Sequence, residues 1–153
     1  MKRDHAPGFM ALALAEAERA GERGEVPVGA LVVEAGTGAV LASAGNRVEE
    51  LRDPTAHAEM LALREAAERQ GAPRLTDCDL YVSLEPCPMC AAAISFARIR
   101  RLYFGAADPK SGGVEHGPRI FSQPTCHHRP EIYGGIDAAR AAALLKRFFE
   151  ALR

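Results

Sequence analysis

Two short segments restrict this chain more than anything else in it: His57-Ala58-Glu59 and Pro86-Cys87-Pro88-Met89-Cys90. Zinc takes imidazole nitrogen and thiolate sulfur in a tetrahedral shell. Two cysteines three apart at a helix start can both reach one ion, and the positive end of that helix favours thiolate over thiol. His57, Cys87 and Cys90 then make three protein ligands. A structural zinc site ordinarily has four, and three leave a position open for water, the arrangement of a catalytic metal. A fold that uses these residues together must bring the two segments to one point.

Glu59 adds the second half of the chemistry. Residues two apart do not share a helical face, so Glu59 is not a further ligand on the His57 stripe. At a helix start the imidazole can meet the metal while the carboxylate reaches the space beside it. There it can take a proton from water and pass protons on. Zinc lowers the pKa of bound water to about 7, which makes an oxygen nucleophile available at neutral pH. A lone C-x-x-C could instead be a redox pair or half of a zinc knuckle. The redox reading wants a thioredoxin-like context. A four-cysteine site lacks its second half, because Cys78 and Cys126 stand alone. Cys126-His127-His128 could suggest a second metal, but three consecutive residues do not close readily around one ion.

With 153 residues, 48% of them hydrophobic, the chain is expected to form a single zinc-binding domain over 1–153. Its core needs no disulfide staples. The formal charge of −1 argues against a uniformly basic nucleic-acid coat. From Arg98 onward, however, basic residues outnumber acidic ones. That asymmetry reads either as a nucleic-acid face or as an unevenly charged solvated surface. No signal peptide and no apolar run of about 20 residues is visible, so the expectation is a cytoplasmic protein with no membrane contact. In a reducing compartment, cysteines point to metal or catalysis before disulfides.

The order of elements follows from the pattern. Ala-rich 9–20 predicts a helix stopped by Gly21 and Gly24. The runs 28–34 and 40–44, around Gly36-Thr37-Gly38, predict a hairpin. A polar loop over 46–54 leads to Thr55, the expected N-cap of a helix over 56–70. A strand over 79–84, a helix over 86–97 with proline at its start, and a strand over 101–105 come next. The stretch 108–130 reads as a loop, 131–133 as a short strand, and 137–153 as an amphipathic helix with Leu144, Leu145, Phe148, Phe149 and Leu152 on its apolar side. Strands separated by helices predict parallel pairing in an α/β layered domain. Loops longer than about 15 residues in a compact domain are usually functional or disordered, which marks 108–130 as a substrate-side element.

The joint pattern, H-A-E followed some thirty residues later by P-C-x-x-C, resembles the signature of the zinc nucleobase deaminases. Around it stand Glu25-Val-Pro-Val-Gly-Ala30, Gly45-Asn-Arg47, Asp53-Pro-Thr-Ala-His-Ala-Glu59, Leu80-Tyr-Val-Ser-Leu-Glu-Pro-Cys87, Arg98-Ile-Arg-Arg-Leu-Tyr-Phe-Gly-Ala106, Asp108-Pro-Lys-Ser-Gly112 and Leu144-Leu-Lys-Arg-Phe-Phe149. On these segments, across nearly its whole length, the chain resembles the cytidine-deaminase-like superfamily, and within it the bacterial tRNA adenosine deaminases. The resemblance implies a three-layer α/β/α fold with a central mixed five-stranded sheet flanked by helices. It implies one Zn2+ per subunit, a homodimer with active sites near the subunit contact, and a tRNA anticodon loop as partner. The implied reaction is hydrolytic deamination of adenosine to inosine at wobble position 34, with tRNA-Arg(ACG) as the substrate.

By the same resemblance, His57, Cys87 and Cys90 are metal ligands and Glu59 is the proton shuttle. Asn46 matches the residue that hydrogen-bonds the flipped base, and Val28 and Ala58 match pocket-wall positions. Asp108, Lys110, Phe149 and Arg153 match positions near the anticodon loop. Read alone, Asn46 is equally a turn residue, Lys110 a solvated loop lysine and Phe149 a core residue. Glu85 either orients a ligand or ends a strand. His127-His128-Arg129 stands where that family often has Asn-His-Arg. A deaminase of free guanine, cytosine or adenosine would share every zinc residue and differ in the loop and last helix. A non-catalytic, zinc-stabilised RNA-binding module would have no use for Glu59.

Overall fold

The structure is a computed structural model and describes residues 6–152. Helix α1 (Ala6–Glu22) leads into strand β1 (Gly29–Glu34) and strand β2 (Val40–Gly45). A four-residue helix α2 (Val48–Leu51) and helix α3 (Ala58–Gln70) follow. Next come β3 (Cys78–Leu84), α4 (Pro88–Ala97), β4 (Arg101–Ala106), β5 (Glu131–Tyr133) and α5 (Ala138–Ala151).

The five strands form one mixed sheet in the order β2-β1-β3-β4-β5. β1 pairs antiparallel with β2 and β3, while β3–β4 and β4–β5 are parallel. The predicted crossovers are therefore present. α3 carries the chain from β2 over β1 to β3, and α4 carries it from β3 to β4. The third parallel connection uses the predicted loop instead of a helix. Its single 3-10 turn, Ile120–Ser122, packs on α4, and Val114 and Phe121 enter the core there. The segment is thus a crossover as well as a surface element.

Both faces of the sheet are covered, so β1 and β3 read as nearly unbroken apolar runs. Side chains still alternate. Ala30, Val32, Leu80, Val82, Leu102 and Phe104 meet Ala62, Leu63, Ala66 and Ile94 of α3 and α4. Leu31, Val33, Tyr81 and Tyr103 meet Met10, Ala13 and Leu14 of α1 and Ala141 of α5. Tyr81 and Tyr103, opposite one another in register, stack with ring centroids 4.5 Å apart. Gly29 lets α1 lie against β1: a Cβ there would stand 2.0 Å from the Ala13 carbonyl oxygen.

Several expected boundaries move for identifiable reasons. α1 runs through Gly21, and the chain turns at Gly24, whose φ is +89°. Thr55 is not the cap of α3. Its amide and hydroxyl both donate to Asp53 Oδ1, at 2.8 and 2.7 Å, which closes a local turn. The cap is His57, in extended conformation, and its side chain makes no capping bond. α4 begins at Pro88, two residues late, with Cys87 as its cap. Residues 126–128 do not form a metal cluster. The Cys126 thiol donates to the His128 carbonyl at 3.2 Å, and the His128 ring nitrogen Nε2 lies 2.7 Å from the Ile99 carbonyl. These contacts tie the segment to the end of α4.

Candidate active site

One edge of the sheet collects the residues of interest, and topology explains why. β2 and β3 both run antiparallel to β1, so both end at the edge where β1 begins. The parallel partner β4 ends there too. Val28, Asn46, Glu85 and Asp108 each lie within two residues of these ends. α3 and α4 start from the same edge, and open α/β sheets bind ligands at such strand ends.

The two helix starts bring His57, Cys87 and Cys90 together. Cys87 is the N-cap of α4 and Cys90 stands three residues on. These two positions face each other across a first helical turn, as in a capping box. His57 Nδ1 lies 3.6 Å from the sulfur of Cys87 and 3.6 Å from that of Cys90. Tetrahedral zinc with a nitrogen near 2.0 Å and a sulfur near 2.3 Å separates the two by roughly 3.5 Å, so the donor spacing fits. No other group of three such side chains meets among the described residues. A hydrogen bond from the Cys90 thiol and the His57 ring outweigh burial and hold the Cys87 thiol down to about 4. Cys90 is pushed upward by its partner and by burial. The pair therefore loses its first proton below the ordinary thiol range.

Glu59, in the first turn of α3, is 4% exposed. Burial pushes its carboxyl up to about 7, where it can accept or give a proton at neutral pH. A divalent cation beside it opposes that shift. Asn46 is also buried, and its Oδ1 accepts the Ala58 amide at 2.8 Å. A backbone N–H only donates, so the facing atom is the oxygen and the Asn46 NH2 is left for other partners. Ala58 is itself fully buried behind His57 and Glu59.

Asn46, His57, Glu59 and Cys87 lie at one end of a cavity of about 600 Å³, which the fully buried Cys90 and Ala58 do not line. Val28, His57, Glu59 and Cys87 line that end. One lip is the 46–54 segment, which contributes Asn46, Val48, Glu49 and Pro54. It hangs from Glu25, a buried carboxylate that accepts the Glu49 and Glu50 amides at 3.1 and 2.9 Å. The other lip carries Asp108 and Ser111, and Phe148, Phe149 and Leu152 of the C-terminal segment stand behind. Phe149 is 45% exposed, so it is a rim residue and not a core one. Lys110 lies in an adjoining hollow that shares Asp108, Ser111, Phe149 and Leu152. Arg153 lies outside the described residues. Sequence reading missed Glu25, Val48, Pro54 and Ser111 as cavity residues. Glu25 had one visible signal: an acidic residue directly before the apolar run 26–33 that leads into a strand.

Residues 3–106 match the family described as the cytidine and deoxycytidylate deaminase zinc-binding region. The chain is 59% identical over 145 residues to a tRNA-specific adenosine deaminase of Agrobacterium fabrum, which spans 95% of this chain and 94% of that one. It superposes with a TM-score of 0.88 and 60% identity on a structure from a study of A-to-I editing by tRNA:A34 deaminases, covering 90% of this chain and 99% of that one. A guanine deaminase of Bacillus subtilis matches with a TM-score of 0.63 and 42% identity, over 65% of this chain and 63% of the other.

Proposed function

This chain belongs to the cytidine and deoxycytidylate deaminase zinc-binding family, and from that premise we propose that it deaminates adenosine to inosine at wobble position 34 of a tRNA, with tRNA-Arg(ACG) as substrate. The observation that carries the reading is the His57–Cys87–Cys90 donor triangle with the buried Glu59 carboxylate at the end of an open cavity. Zinc, when bound by those three residues, supplies Lewis acidity and lowers the pKa of water. Glu59 moves the protons. It takes the two protons of the attacking water in turn and delivers one to the base ring nitrogen and the other to the departing amine, so adenosine and water give inosine and ammonia.

Asn46 holds the base. Its oxygen is committed to Ala58, so the NH2 donates to an acceptor on the purine ring. Val28 shapes the wall beside it, and the buried Ala58, which sequence places on that wall, supports it from behind through its amide bond to Asn46. The Phe149 ring at the rim has the exposure to stack on a neighbouring base. Lys110 meets a phosphate, Asp108 contacts a flanking nucleotide, and Arg153 is assigned to the same anticodon-loop surface by resemblance alone. A base already unstacked in a loop costs little to extrude.

The rest of the reading is a single domain over 1–153 with one Zn2+ per subunit, a homodimer and a cytoplasmic site. The dimer is supported by an apolar outer face on α4, where Phe96 is 65% exposed beyond the half-buried Ala92 and Ala93. Among the described residues no helix is long and apolar enough to cross a membrane.

The alternative is a free-base deaminase, since the chain also resembles a guanine deaminase over about two thirds of its length. The deciding experiment incubates the zinc-loaded protein with an ACG anticodon stem-loop and, separately, with guanine, cytosine and adenosine. Inosine in the RNA alone is the expected result. Ammonia released only from a free base or nucleoside overturns the tRNA reading.

A further inference from the structure

We propose that Glu85 is a positioning residue for RNA recognition: its carboxylate, through five hydrogen bonds to one loop, fixes the 108–116 lip that the substrate must meet. This rests on the tRNA reading above. Glu85 stands two residues before Cys87, yet its carboxylate bonds go to the 108–116 loop and not to the ligand segment. Oε1 accepts the Asp108 amide at 2.9 Å and lies 2.7 Å from His116 Nδ1. Oε2 accepts the amides of Val114, Glu115 and His116 at 3.2, 2.9 and 3.1 Å. The side chain is 1% exposed. A carboxylate stripped of water survives there because donors replace the hydration shell. Three successive amides curl around one oxygen, a concave N–H array of the kind that binds anions. Here the anion belongs to the protein, so the loop is shaped before any substrate arrives.

The clasp fixes what the lip presents. Asp108 Oδ1 accepts the Lys110 and Ser111 amides at 3.2 and 3.0 Å, and the Gly112 amide donates to the Asp108 carbonyl at 2.9 Å. This turn aims Asp108 and Ser111 into the cavity and leaves Lys110 in the hollow beside it. There is no room for slack. A Cβ on Gly112 would stand 2.5 Å from Glu85 Oε2 and 2.5 Å from the Asp108 carbonyl oxygen. Gly113 donates to the Pro86 carbonyl at 2.8 Å, and a Cβ there would stand 2.6 Å from Pro88 Cα. The loop is thus pressed onto the head of the helix that carries both cysteines. Glu25 holds the opposite lip by two amides in the same manner. The width of the mouth is set by two buried carboxylates that need not touch substrate.

The test uses two variants that break the clasp from opposite sides. Glu85→Gln turns one acceptor oxygen into a donor facing donors. Gly112→Ala pushes the loop away with Glu85 intact. Each is measured for zinc content, for steady-state kinetics on the ACG stem-loop, and for amide hydrogen exchange over 108–116. At unchanged zinc, KM is expected to rise roughly tenfold while kcat stays within about twofold, because the loss is in ground-state positioning. Exchange should quicken in 108–116 and not in α3. The double variant should be no worse than either single one, since both remove one interaction. If Glu85→Gln fails to fold or to hold zinc, Gly112→Ala decides. An unchanged KM, or a fall in kcat alone, overturns the proposal. Should the wild-type protein leave the RNA untouched, the substrate reading fails first. Exchange then judges the clasp separately, and unchanged protection in both variants overturns it.

Discussion

Replacing Asn46 in two ways separates the two ends of one buried amide. Its Oδ1 accepts the Ala58 amide, the first N–H of α3, at 2.8 Å, and its NH2 is free for a base. Asn46→Ala removes both ends. It leaves a buried N–H without a partner, which costs about 1–3 kcal/mol. For a domain of this size each kcal/mol lowers Tm by roughly 2–4 °C, so the fall should be about 2–12 °C. Asn46→Asp keeps the acceptor, and the positive end of α3 favours the added charge. Its stability should stay within about 1 kcal/mol of wild type. Its function should not, because the donor has become an acceptor facing the acceptor of the base. Loss of about 2.7 kcal/mol of transition-state binding lowers kcat/KM roughly a hundredfold. Thermal melting, zinc content and inosine formation in the stem-loop read the three quantities. An aspartate variant that melts as low as the alanine variant refutes the orientation of the amide. One that deaminates like wild type refutes the contact with the base.

Other expectations follow from the same geometry. Glu59→Ala leaves all three metal donors in place, so zinc should remain while kcat drops about 10²–10⁴-fold; full turnover in that variant removes Glu59 from the chemistry. A thiol held down to about 4 is a thiolate above that pH. The metal-free protein should therefore show one fast-alkylating cysteine, Cys87, at pH 6, where an ordinary thiol near 8.5 is almost wholly protonated. The rate should decline as pH falls toward 4 and be suppressed by zinc; a rate at pH 6 equal to that of the denatured chain contradicts this. Gly29→Ala would drive a methyl group to 2.0 Å from the Ala13 carbonyl oxygen and 2.5 Å from the Ala17 amide nitrogen. Neither backbone atom can rotate away, so overpacking should cost about 1–3 kcal/mol in urea denaturation; an unchanged midpoint would mean that α1 does not lie so close.

The buried Glu85 clasp also has a definite pH dependence. Burial alone would raise this carboxyl, but the Asp108 amide, the His116 ring and the Glu115 and Val114 amides outweigh it and hold it below the ordinary range. A depressed carboxyl stabilises the fold fully above its unfolded value, about 4.3, and loses that contribution as pH falls through the lower folded value. Protection of the 108–116 amides should accordingly persist through neutral pH and weaken only in acid. Protection lost between pH 7 and 5 contradicts this.

The donor set was legible from sequence because its geometry is local. Cys87 and Cys90 are joined by one helical turn, and that turn has one shape wherever it occurs. The hairpin and the crossover helices were legible for a similar reason, since period and turn chemistry act over a few residues. His57 needed one further step, namely the recognition that two helix starts share an edge. Other features were not visible in the chain. That Asn46 turns its oxygen to Ala58, that Glu85 serves residues 108–116 and not the cysteine beside it, and that Phe149 stands at a rim are contacts between separate elements. So is the replacement of Thr55 by His57 at the cap, where the Thr55 amide and hydroxyl turn back to donate to Asp53. Such contacts join groups 12 to 31 residues apart in the case of Asn46 and Glu85, with no repeating signal to announce them. The sequence by itself singled out the side chains whose donor atoms suit a metal and the carboxyl proposed to move a proton. The tertiary structure decided which way the buried amide and carboxylates face, because a polar group taken from water must bond to whatever donor the packed chain places next to it.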